Sequence, residues 1–224
     1  MKTCLKYLIL LGLFIQLTAC ETIIDECDLV FHERFITRYT IPNAVIIREV
    51  SDSTVFVTFG GESVSKSTNS QLYDELSTLY NDLSFNRWLG CGPPVEAFYD
   101  SIVKLQVISL DDFDITHPSG SDVSEYIEFR YVSLFDFVQN GYKEEEKNSE
   151  DYYKGGMEYF YSMLGAKVFK GNLAEINQFN TKLIYSWGFM LRFTQSPEIP
   201  DTYRFKIIAQ VREKVMETSV SCDF

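Results

Sequence analysis

Ser196-Pro197-Glu198-Ile199-Pro200-Asp201-Thr202-Tyr203 separates two stretches that read as strands, Ile184–Thr194 before it and Tyr203–Val211 after it. Proline donates no backbone N–H, so two of them within four positions end a hydrogen-bonded ladder and force a turn. The strand that follows alternates, and Val215–Val220 can pair beside it. The last quarter of the chain therefore reads as antiparallel sheet.

Working outward, Ser101–Leu110 is the clearest strand. Ile102, Lys104, Gln106 and Ile108 alternate with Val103, Leu105, Val107 and Ser109, so one face is more apolar than the other. Nearer the start, Leu29–Thr40 and Ala44–Val50 read as strands split by Ile41-Pro42-Asn43. Ser51-Asp52-Ser53 supplies a turn, and Thr54–Phe59 is β-branched and aromatic until Gly60-Gly61 ends it. The period changes between Ser70 and Leu83, where Leu72, Leu76, Leu79, Tyr80 and Leu83 share a helical face with Ser70 as N-cap. Ser133 with Asp136, and Asn140-Gly141 after them, bound a second short helix, and Leu173–Phe179 suggests another. Cys91-Gly92-Pro93-Pro94 forbids regular structure, and Lys143–Asp151 reads as a solvated, mostly acidic loop. The proline turn with Asp201-Thr202-Tyr203 resembles the corner of immunoglobulin-like sandwiches, where a tyrosine hydroxyl bonds back to the chain. The expectation is a mainly β, immunoglobulin-like antiparallel sandwich with helical insertions.

The first residues have a different character. Lys2 and Lys6 precede an apolar run from Tyr7 to Ala19, broken only by Gln16 and Thr18. That run is too short for a bilayer core of ~30 Å and reads as the apolar part of a signal peptide, residues 1–19. Leu17-Thr18-Ala19-Cys20 resembles the lipobox of bacterial lipoproteins, in which the cysteine takes a diacylglyceryl group, palmitate-like chains included, and the peptidase cuts just before it. The competing reading is an ordinary secretory peptide with Cys20 in a disulfide. One acyl chain binds a membrane marginally, whereas two or three anchor it durably. Residues 20–28 would then form a lipidated tether and 29–224 a single β-rich extracytoplasmic domain.

Cleavage would remove two lysines and no acid, leaving 18 basic against 32 acidic residues, a net charge of −14. A nucleic-acid partner calls for the opposite sign. Cys27, Cys91 and Cys222 would remain in an oxidising compartment, where pairing is the default but three cannot all pair. Cys91 with Cys222 is the preferred pair because both flank candidate strand ends. All three connectivities stay open.

No nucleophile elbow, zinc-protease helix, phosphate loop or dinucleotide fingerprint is present. His32 and His117 alone could titrate near neutral pH without a large shift. In Asp111–Asp122, the carboxylates Asp112, Asp114 and Asp122 join Ser and Thr oxygens of the kind Ca²⁺ takes, though not at EF-hand spacing. More often such a loop is held by Asp and Ser side chains bonding their own backbone. Trp88, Tyr152, Tyr153, Tyr159, Tyr161 and Trp187 offer stacking surface for a sugar or protein, against a plain role in the core.

Ser101-Ile102 leading a strand, then Asp112-Phe113-Asp114 and His117-Pro118-Ser119-Gly120-Ser121-Asp122, resemble the uncharacterised domain-of-unknown-function lipoproteins of Bacteroidetes. Cys91 with Pro93-Pro94, and Leu191–Pro197, resemble that group too. The likeness spans roughly 90–135 and 185–222 and implies envelope location and β architecture, with no catalytic residue to carry over. Glu21, Asp25 and Glu26 loosely match the acidic export signal of that group, leaving periplasmic and surface faces of the outer membrane both open. Asp52-Ser53-Thr54 and Asp100-Ser101-Ile102 resemble its O-glycosylation acceptors, with Ser53 and Ser101 as the sites. The functional expectation is a non-catalytic binding or envelope-assembly module for a glycan or an envelope protein. A carboxylate-pair hydrolase acting on glycans is the alternative.

Overall fold

The computed structural model describes residues 30–89, 95–143 and 167–224. The signal peptide, Cys20, the tether, Cys27, Cys91-Gly92-Pro93-Pro94, all of Lys143–Asp151 but Lys143, and Tyr152, Tyr153, Tyr159 and Tyr161 lie outside them. The fold is mainly β, with several antiparallel sheets and few helices.

The chain divides into two compact units. The described residues of the smaller are Val30, Phe31, Trp88 and Leu89. They belong to β1 (Val30–His32) and β4 (Arg87–Leu89), which pair as a two-stranded sheet.

The larger unit carries two further sheets. β2 (Arg38–Ser51), β3 (Thr54–Ser65), β5 (Glu96–Phe98), β7 (Ile127–Ser133), β8 (Lys167–Asn172) and β9 (Ile184–Phe193) form a six-stranded sheet in the order β3-β2-β5-β9-β7-β8. β3 also pairs with β9, so β3, β2, β5 and β9 close a circuit. β6 (Ile102–Ser109), β10 (Thr202–Val211) and β11 (Lys214–Asp223) form the other sheet, in the order β11-β10-β6. Leu105, Val107, Phe205, Ile207 and Ala209 of this sheet share one core with Val55, Val57, Phe129, Phe189, Leu191 and Phe193 of the larger one. Burial of these alternating faces is what drives the two sheets together.

The proline corner forms as expected. The Tyr203 hydroxyl donates to the Ile199 carbonyl at 2.9 Å, and the next strand alternates exposed or half-buried residues with buried ones through Val211. β10 and β11 then pair from Thr202↔Asp223 to Val211↔Lys214.

Four sequence expectations need correction. Leu29–Thr40 is not one strand, because the Phe35 and Ile36 N–H groups turn to the Asp82 carboxylate instead of a ladder. Pro42 does not split the next strand either. β2 runs through it, with a register shift between Pro42 and Ala44 that leaves Asn43 as a bulge. Opposite this bulge, Gly60-Gly61 continues β3 to Ser65 rather than ending it, and a Cβ at Gly61 would collide with the Ile41 carbonyl. In β6 the strict alternation fails at its start. A shift between Gln210 and Val211 of β10 skips Val103, which is 49% exposed, and turns Ile102 into the core.

The helices are placed as read, with different contacts. α1 (Ser70–Leu79) is capped by Asn69, whose side chain accepts the Leu72 N–H at 3.1 Å, not by Ser70. It buries Tyr73, Leu76 and Ser77, whereas Leu79 and Leu83 are exposed. The Tyr73 hydroxyl reaches the Ile36 carbonyl at 2.8 Å and Ser77 bonds back to the Tyr73 carbonyl, so an aromatic ring and a hydroxyl face inward beside Leu76. α2 (Phe135–Gln139) ends at Asn140 and Gly141, the latter at φ +68. Leu173–Gln178 is a 3-10 turn capped by the Asn172 side chain. Among the described residues, no helix is long and apolar enough to cross a membrane.

Candidate functional site

β6 delivers the chain into the loop Asp111–Asp122, and the loop returns to the same strand. Gly120, at φ +94, donates its N–H to Ser109, whose own N–H donates to the Ser121 carbonyl. Phe113 is the loop's buried anchor, stacked between Tyr126 and Phe193 and touched edge-on by Tyr203, Phe205 and Phe224. The proline turn joins the same end of the unit through the Glu198 N–H, which donates to the Phe113 carbonyl, and Asp111 holds Arg204 of β10 at 2.6 Å.

Each acid of the loop has its own task. Asp112 accepts the Ser119 N–H at 2.8 Å. Asp114 accepts the N–H groups of Thr116 and His117, at 2.7 and 2.8 Å, and the Thr116 hydroxyl. Asp122 accepts the Ser124 N–H at 2.9 Å and the Gln106 amide at 2.6 Å. The three carboxylates thus close three separate local turns and do not converge on a point. Among the described residues, no group of three or more His, Cys, Asp or Glu side chains is arranged to hold a metal ion.

His117 is the centre of the arrangement. Its Nδ1 lies 3.0 Å from Asp114 and its Nε2 3.0 Å from Glu125, while Tyr126 packs its ring edge-on at 4.9 Å. Both nitrogens face carboxylate acceptors, and only the imidazolium can donate to both. Hydrogen bonding to Asp114, and secondarily to Glu125, raises the imidazole pKa above its ordinary value against an opposing effect of burial. The Thr116 hydroxyl, with the His117 bonds behind it, holds Asp114 down at about 2. In this geometry carboxylates engage both ring nitrogens. The group ties the loop to the 3-10 turn Ser124–Tyr126.

Glu125 and Tyr126 were not legible as partners of His117, because their approach depends on the loop folding back over β6. The other sequence candidates are scattered. Ser53 is half-buried in the two-residue turn between β2 and β3, where its carbonyl accepts the Phe193 N–H; Ser101 is half-buried just before β6. Trp187 is 42% exposed and stacks on Tyr185. His32 is half-buried in β1. Cys222 is free and buried, and burial pushes its thiol pKa up to about 12.

At the tips of the joined loops, Ile115 is 89% and Ile199 69% exposed. Each is a large apolar side chain on a loop whose backbone is pinned, by Asp114 beside Ile115 and by the Tyr203 hydroxyl at the Ile199 carbonyl itself. Such an arrangement can present apolar surface to a partner without ordering the loops on contact. No protein-family model matches the chain, and no curated protein is similar to it.

Proposed function

We propose that this chain is a lipid-anchored envelope protein whose β body serves as a non-catalytic binding or assembly module. The anchor rests on Leu17-Thr18-Ala19-Cys20 behind a short apolar run, and the likeness to Bacteroidetes lipoproteins agrees with it. The observation that carries the binding reading is the pinned pair of loops with Ile115 and Ile199 at their tips, beside a histidine engaged on both nitrogens. Rigid loops on a β scaffold suit recognition, because little conformational entropy is lost on contact. The partner is a glycan or another envelope protein, met at the outer membrane.

Two measurements test this. Cys20→Ala should move the protein from the membrane pellet to the soluble fraction; a variant that stays in the pellet after a high-salt wash sinks the anchor. Glycan arrays and cross-linking in whole envelopes should then give a partner whose capture is lost in Ile115→Asp/Ile199→Asp. Capture that survives the double change rules out this surface.

A further inference from the structure

We propose that Phe31 and Trp88 form a second, non-covalent membrane contact that inserts into the lipid–water interface beside the anchor. The inference rests on the reading of Cys20 as the lipidated residue. Val30, Phe31 and Trp88 are 54%, 44% and 64% exposed, and the two rings meet at 5.4 Å with their planes 60° apart. Together they present uncharged, aromatic surface on the small β1–β4 ribbon, where water is a poor partner. A tryptophan with its apolar body and N–H handle suits the headgroup boundary better than either water or hydrocarbon.

What selects lipid as the occupant is where the tether ends. Cys20 and Val30 are ten residue steps apart, which limits the span between them to roughly 33–36 Å. The ribbon is thus confined within reach of the bilayer that holds the acyl chains, and the tether turns a weak bimolecular contact into an intramolecular one. The sign of the mature chain, −14 by its residues, favours a zwitterionic over an anionic lipid surface.

The test uses the mature lipidated chain with Trp187→Phe, so that Trp88 is its remaining tryptophan, in phosphatidylcholine vesicles with or without brominated acyl chains. The inference expects the protein to float with the vesicles, Trp88 emission to shift to the blue, and bromine near the headgroup to quench it more than bromine deep in the chains. Phe31→Ser should diminish both the shift and the quenching while flotation persists. Flotation with Trp88 unquenched, and as open to iodide as in the unlipidated Cys20→Ala chain, overturns the interface contact and leaves the anchor standing. Failure to float overturns the anchor, and this inference with it.

Discussion

The Tyr142 hydroxyl donates to the Asp82 carboxylate at 2.8 Å across 60 residues of chain, in a site closed to solvent. The same carboxylate accepts the N–H groups of Phe35 and Ile36 at 2.9 and 2.8 Å, and the rings of Phe35, Phe85, Phe137 and Tyr142 pack around it. Burial, then the bond to Asp82, pushes the Tyr142 pKa up to about 12, so the phenol stays a donor. Asp82 is thus the reason the chain leaves its extended path between β1 and β2.

Removing that acceptor strands two buried amides and a hydroxyl, which predicts a loss of about 3–5 kcal/mol for Asp82→Ala. Asp82→Asn keeps one acceptor oxygen and should lose less, and Tyr142→Phe about 1 kcal/mol. Urea unfolding of the three variants checks the ranking. A loss below that of Tyr142→Phe in Asp82→Ala would mean the carboxylate does not organise this turn.

Gly188 closes the contact between β9 and β3. It sits at φ +115, and a Cβ there would collide with the Val57 carbonyl and approach the Thr58 Cβ to 3.1 Å. Gly120 also has positive φ but meets nothing within 4 Å. Gly188→Ala should therefore cost about 3 kcal/mol from strain and overpacking together, against about 1–2 kcal/mol for Gly120→Ala from conformation alone. Equal shifts in denaturation midpoint would remove the steric part of this account.

How far the sequence disclosed this molecule depended on the range of the interaction. The corner at Tyr203 was readable because its bond spans four residues and proline marks the turn. The bulges at Asn43 and Val103 were not, since each is defined by the facing strand, β3 in one case and β10 in the other. Leu76 was on the expected face, but Tyr73 and Ser77 were missed because periodicity ranks leucine above tyrosine, while burial was decided by the Ile36 carbonyl that Tyr73 reaches. In the loop, the acids and their bonding to local backbone were readable, while the particular donors were not. Asp112 and Asp122 bond donors seven residues or fewer away and also, for Asp122, Gln106 on the neighbouring strand.

Cys222 packs into the core from β11, paired opposite Tyr203, and burial raises its thiol pKa to about 12. The thiolate, which is the reactive form, is scarce at about pH 8. A maleimide should leave Cys222 unlabelled in the native protein and modify it fully in denaturant without reductant, read by peptide mass. Labelling that appears only after reduction would show a disulfide at this position, with Cys91 and Cys27 as the candidate partners.

His117 makes the stability of the loop depend on pH in a defined direction. Its folded-state pKa is raised above the ordinary 6.5, so the folded chain holds the proton more tightly than the unfolded one. The stabilisation is complete below the ordinary value and is lost as pH climbs through the raised one. Asp114 acts at the other limit: held at about 2 against an ordinary 3.8, it contributes above 3.8 and its share disappears as pH falls toward 2. The pair is therefore strongest between the ordinary carboxylate and imidazole ranges. Thermal melts of the parent protein should show a decline as pH rises above the ordinary 6.5 that His117→Gln flattens, because glutamine keeps hydrogen-bonding capacity without a titrating proton. Glu125→Gln should lower the His117 titration midpoint followed by NMR, where just two histidines need to be assigned. Parallel melting profiles for the parent and His117→Gln across that range would show that the imidazolium does not secure the loop.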